Sequence, residues 1–123
     1  MIINMPYIGR VLSVNYYKVY DRRGVPTNTT KSVTQDWMDT LTRLIREHPE
    51  FESVHHKDVT IKLTGHFKDQ RYPDLHNLHK IIGDAVEPAI EVNDKYIKFE
   101  DVGSFIGARV PILKIEIVPD NKI

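Results

Sequence analysis

The residues best suited to chemistry lie between Arg71 and Tyr96. The run Arg71-Tyr72-Pro73-Asp74-Leu75-His76-Asn77-Leu78-His79-Lys80 leads to Asp84 and then to Asn93-Asp94. Pro73 biases the residue before it away from helix, and Asp74 then stands at a natural N-cap. Asn77, Lys80 and Asp84 follow at helical spacing and line one side of the opening helix, while Leu75, Leu78 and Ile82 take the buried side. Asp94 follows the apolar residues Ala89, Ile90 and Val92, so it can be brought back beside them. Two aspartates and a histidine (Asp74, Asp94 and His76) at a helix start make a divalent-metal site. Carboxylate oxygens suit Mg²⁺ or Mn²⁺, and the imidazole moves the preference toward Mn²⁺ or another transition metal. A plainer reading stands beside this one. Asp74 only caps a helix, His76 and Asn77 are exposed first-turn residues, and Asn93-Asp94 is a turn.

Hydrophobic spacing supplies the elements around these residues. Leu75, Leu78, Ile82, Ala85 and Val86 recur with helical period, which predicts a helix over 75–87 that stops near Pro88. Ser32 and Gln35 have capping-box spacing, and Trp37, Met38, Leu41, Leu44 and Ile45 form one apolar stripe behind them. A helix over 32–47, ended by Pro49, follows. Trp37 and Met38 are core residues on this reading. Val59, Ile61 and Leu63 alternate with Thr60, Lys62 and Thr64, and Phe67 keeps the same parity, as expected of a half-buried strand. Leu113, Ile115 and Ile117 predict a final strand. Tyr7 to Tyr20, rich in Val, Leu, Ile and Tyr, reads as strand or extended chain, with a turn at 21–26. The order is β-α-β-α-(β)-β. It predicts an α/β (α+β) chain forming a single compact domain over 1–123, a mixed β-sheet packed on two main helices.

Length and composition exclude several classes. A chain of 123 residues fits one domain, and 41% hydrophobic with 28% charged residues is ordinary for a globular protein. With no cysteine, disulfides, Cys-ligated zinc, Fe–S clusters and thiol catalysis are excluded. No apolar run reaches the ~18–20 residues of a membrane span, and no signal-peptide pattern opens the chain, so the expectation is a cytoplasmic protein with no membrane partner. Net charge is zero, which argues against a polyanionic partner until it is divided along the chain. Residues 1–31 carry +4, 32–56 carry −3, 57–80 carry +2 and 81–123 carry −3. A chain that segregates its acids can still offer a basic face to nucleic acid, although a mixed, solvated surface has the same arithmetic.

Other residues carry less. His55-His56, just before a strand, and His66 read as surface. His79 is at most a neighbour of the metal cluster. Gly103 and Gly107 flank Ser104-Phe105-Ile106 as a flexible loop, with no Lys-Ser/Thr after them to make a phosphate-binding motif.

The string Pro73-Asp74-Leu75-His76-Asn77-Leu78-x-Lys80-x-x-x-Asp84-Ala85, followed by Asn93-Asp94-x-x-Ile97, resembles the RusA family of Holliday junction resolvases. That family carries D-x-D-N-L-x-K-x-x-x-D-A at a helix start and D-D-x-x-[VI] after a short gap. Leu12-Ser13-Val14-Asn15-Tyr16-Tyr17-Lys18 is similar to the family's Ser/Asn-rich N-terminal segment, so the resemblance spans residues 10–118. It implies a homodimeric nuclease that binds four-way or other branched DNA and nicks it with Mg²⁺ or Mn²⁺. By that resemblance Asp74 and Asp94 are catalytic metal ligands and Lys80 is the catalytic lysine. Asn77 and Asp84 support the ligands. Asn15, Lys18, Arg22, Arg23, Lys68 and Arg71 contact DNA, with Tyr16 or Tyr17 near the crossover bases. The chain departs from the pattern twice: His76 stands in place of an aspartate, and Asn93 in place of another. His76 can still ligate a metal, so the two open readings are an active nuclease and a RusA-type protein that binds branched DNA without cutting it. A third is a small module with an unrelated binding role.

Overall fold

Alternation of apolar and polar residues builds the sheet, as the strand patterns require. In β2 (Val59–His66) every second residue is buried, and Val59, Ile61 and Leu63 are fully enclosed. β4 (Ile112–Pro119) repeats this with Leu113, Ile115 and Ile117. The computed structural model describes residues 1–12 and 28–120, with side chains from residue 33 in the second stretch. Within them the elements run β1 (Ile2–Pro6), α1 (Asn28–Arg46), β2, α2 (His79–Ile90), β3 (Ile97–Phe105) and β4. The strands form one mixed sheet in the order β1-β4-β2-β3. β4 is antiparallel to both β1 and β2, whereas β2 and β3 are parallel. The architecture is α+β: a mixed four-stranded sheet with two helices, as the hydrophobic spacing predicts.

Both helices share a core with one face of the sheet. Trp37, Met38, Leu41 and Ile45 of α1 are buried, as are Ile81, Ile82, Ala85, Val86, Ala89 and Ile90 of α2. The Thr42 hydroxyl donates to the Ala85 carbonyl at 2.8 Å and ties the helices together. The Trp37 indole donates to the Pro6 carbonyl at 2.8 Å and ties α1 to the end of β1. The opposite sheet face carries polar residues, among them Lys62, Glu116 and Lys114 at matched register positions or their neighbours.

Four boundaries differ from the sequence expectation. The first strand is Ile2–Pro6 rather than the 7–20 stretch, because only Ile3 and Met5 face inward there, too short a pattern to stand out. Pro6 and Gly9 (φ 99°) close that strand, and Arg10–Leu12 form a 3-10 turn. The remainder of 7–20, and the turn at 21–26, lie outside the described residues. α1 begins at Asn28, ahead of the capping box at Ser32, since Asn28, Thr29 and Thr30 offer equally good start residues. The second helix passes Pro88 to Ile90. Pro88 cannot donate to the Asp84 carbonyl, and burial of Ala89 and Ile90, which extend the same apolar stripe, offsets that loss. Finally, Gly103-Ser104-Phe105 is strand, not loop. β3 continues to Phe105 through a β-bulge at Val102, where Leu63 pairs with Asp101 and Thr64 with Gly103.

Candidate functional site

Asp74 takes the capping position expected of it. Its backbone is extended (φ −64°, ψ 130°), and its carboxylate accepts from the His76 backbone N–H at 3.0 Å. A 3-10 turn over Leu75–Leu78 follows and passes directly into α2. Leu75 and Leu78 are buried in the core, so the turn is anchored by its apolar side while His76 stays exposed. Behind it, Phe67 is packed edge-on against Tyr7 (centroids 5.1 Å apart) and face-on against Tyr72 (4.9 Å). Gly65 makes room for this ring: a Cβ there would overlap the Phe67 ring edge and lie 3.2 Å from Leu75.

The first half of α2 and the start of β3 enclose a cleft of about 180 Å³. It is lined by His79, Lys80, Gly83, Asp84, Asp94, Ile97 and Phe99. Lys80 and Asp84 form an ion pair at 3.2 Å across one helical turn. Asp94 enters from a short 3-10 turn capped by Asn93, whose side chain accepts from the Lys95 N–H at 3.1 Å. That capping role suits the asparagine found where the resemblance expects a carboxylate. His79 stacks on Phe99 (centroids 4.2 Å) and bonds to the Asp101 carboxylate at 2.7 Å. His76 meets His79 edge-on, with centroids 4.8 Å apart. The structure thus brings Lys80, Asp84 and Asp94 to one cleft. Asp74, His76 and Asp94 do not form a group of three donors within 4.8 Å, and the Asp74 carboxylate accepts from the backbone beside it.

Asp101 is the residue that sequence reasoning missed. It sits across from Leu63 on the helix-facing side of β3, one residue before the bulge. Its signal was the inward parity it shares with Ile97 and Phe99.

Among the residues expected to contact DNA, Lys68 and Arg71 line an open groove of about 540 Å³ with Asp69, Gln70, Ile106 and Gly107. The Asp69 carboxyl is held below its usual range, chiefly by the Arg71 backbone N–H at 2.9 Å. Phe105, Ile106 and Val110 are exposed at this same end of the sheet, and His66 stacks on Phe105. Asn15, Lys18, Arg22 and Arg23, with Tyr16 and Tyr17, lie outside the described residues.

A second polar cluster stands at the other end of α2. His55 and His56 both approach one carboxylate oxygen of Glu91, at 2.6 and 3.6 Å. Among the described residues this is the one group of three side chains whose donor atoms lie within 4.8 Å of one another, and it could hold a metal ion. The pair read from sequence as plain surface therefore has a partner 35 residues or more along the chain, which no local pattern could reveal.

A scan against protein-family models finds no match to this sequence, and a search of curated proteins finds none either. No helix among the described residues is long and apolar enough to cross a membrane.

Proposed function

We propose that this chain is a RusA-type, metal-dependent endodeoxyribonuclease that binds four-way or other branched DNA and makes paired nicks by phosphodiester hydrolysis. The observation that carries the reading is the cleft itself. Lys80, Asp84 and Asp94, three residues named by the motif, line one small concavity beside His79.

Asp84 and Asp94 are hard oxygen donors of the kind Mg²⁺ or Mn²⁺ takes, and Asp74 and His76 stand one turn before the helix. Bound there, such an ion supplies a polarised phosphate and a water of lowered pKa. The chain's own groups do the rest. Lys80, half exposed, presents its ammonium to the negative charge that builds on phosphate oxygens during displacement. Asp101, 2.7 Å from His79 Nε2, fixes the orientation of that ring at the edge of the cleft. Asn77, on the 3-10 turn, orients a ligand or water. Lys68 and Arg71 steer the DNA backbone from the adjoining loop. A two-fold homodimer would set two such clefts on opposing arms of a symmetric junction.

The second reading, branched-DNA binding without cleavage, is favoured by one observation: Asp74, His76 and Asp94 are not gathered into a three-donor group. One assay separates the two. With Mg²⁺ or Mn²⁺ the chain is expected to nick a four-way junction, and Asp74→Asn to stop the nicking while keeping a salt-sensitive gel shift. Binding without nicking in either metal would establish the second reading. Absence of any salt-sensitive junction binding would refute both.

A further inference from the structure

We infer that His55, His56 and Glu91 form a transition-metal site, with Zn²⁺ as its natural occupant, that clamps the end of α2 to the segment entering β2. This inference is independent of the nuclease reading, and it uses none of the cleft residues.

The donor set is that of a three-ligand zinc site, two imidazoles and a carboxylate, leaving a fourth position for water. Ligands around tetrahedral Zn²⁺ at ~2.0–2.1 Å stand about 3.3 Å apart. The Nε2 atoms of His55 and His56 lie 2.6 and 3.6 Å from the Glu91 oxygen, on either side of that ideal spacing, and a turn of the two stacked rings would aim both nitrogens at one ion. Hard cations such as Mg²⁺ prefer all-oxygen cages and are not matched by this pair of nitrogens.

Three further features hold the donors in place. The His55 ring stacks between Phe51 (centroids 4.7 Å) and His56 (3.8 Å), each at an interplanar angle of 27°. The His56 backbone N–H donates to the Ile90 carbonyl at 2.9 Å, which joins the two segments just beside the cluster. Among the described residues, His56 (φ 60°) and Glu91 (φ 57°) are the two non-glycine residues in the left-handed region. Glu91 takes this conformation as the C-cap of α2, with its N–H on the Glu87 carbonyl, and its carboxylate faces the two imidazoles. The side chains of His56 and Glu91 are both more than half exposed, so an ion reaches the donors directly from solvent.

The full chain, stripped with a chelator, is titrated with ZnCl₂ in a calorimeter and melted with and without the metal. One Zn²⁺ per chain is expected. Melting temperature should rise on the order of 5–10 °C at zinc near 100 times Kd, and MgCl₂ at the same concentration should leave it unchanged. His56→Asn, which tolerates the left-handed backbone, and Glu91→Gln should each weaken zinc binding at least ~10-fold. His79→Ala, which removes the histidine of the cleft, should leave it intact. Metal-free melts matching the unmodified chain show that the variants fold; where one does not match, the other decides. The inference is overturned if the unmodified chain takes up no stoichiometric zinc. It is equally overturned if binding survives in His56→Asn and Glu91→Gln, or is lost in His79→Ala.

Discussion

At the start of α2, Lys80 holds Asp84 at 3.2 Å, His79 holds Asp101 at 2.7 Å, and the Asp74 carboxylate is taken by a backbone N–H. At the end of the same helix, His55 and His56 both turn to a single Glu91 oxygen. The first region is rich in charge, with acids and bases matched in separate pairs spread around a cleft. The second has fewer groups aimed at one point. Charge density and convergence are therefore different properties, and each suits a different ligand. On the proposed reading, a spread of paired charges meets an extended polyanion through hard cations. A convergent trio fits one compact, softer cation.

Substitutions at either end should act on one region and spare the other. The largest effect is expected from Asp74→Asn, which keeps a capping side chain but removes the charge. Junction cleavage should fall at least ~100-fold while zinc uptake at the far end is unchanged, measured by single-turnover nicking and calorimetry on the same preparation. Gly65→Ala comes next. Its Cβ would press on a Phe67 ring held between Tyr7 and Tyr72, so the chain should lose ~1–3 kcal/mol in urea unfolding. Asp101→Ala should release the His79 ring and slow cleavage by ~10-fold with little change in melting. If it changes nothing, the matched pairs around the cleft are surface chemistry only. Gly83→Ala should have the smallest effect. A Cβ there meets the Phe99 ring at an ordinary 3.7 Å, and the helix should gain ~0.4–1 kcal/mol by thermal or urea melt.

What could be read in the sequence follows from how local each signal is. The stripe of Trp37, Met38, Leu41 and Ile45, the alternation of β2 and β4, and the Asp74 cap depend on neighbours within a few residues, and the structure has them as expected. The end of α2 was misjudged because proline is the stronger local symbol, whereas burial of Ala89 and Ile90 is set by the sheet beneath. The last residues of β3 read as a loop because the bulge at Val102 shifts the parity, so Gly103 and Phe105 fall out of step with Ile97 and Phe99. Asp101, and the meeting of Glu91 with His55 and His56, join segments far apart in the chain. Spacing within one segment sets the inward parity of Asp101 but carries no trace of which residue it meets.

The strand order has a consequence for how the chain assembles. β4 is the last of the four strands to be made, yet it lies inside the sheet, between β1 and β2. As synthesis proceeds, β2, α2 and β3 can associate as a parallel unit, whereas among the described residues the sheet partner of β1 is β4, more than 100 residues later. Closing that long loop comes before any reward from the central pairings, so sheet completion is a late event that depends on non-local contacts. Until then β2 keeps one open edge, the site where a nascent copy of this chain is most exposed to pairing with another.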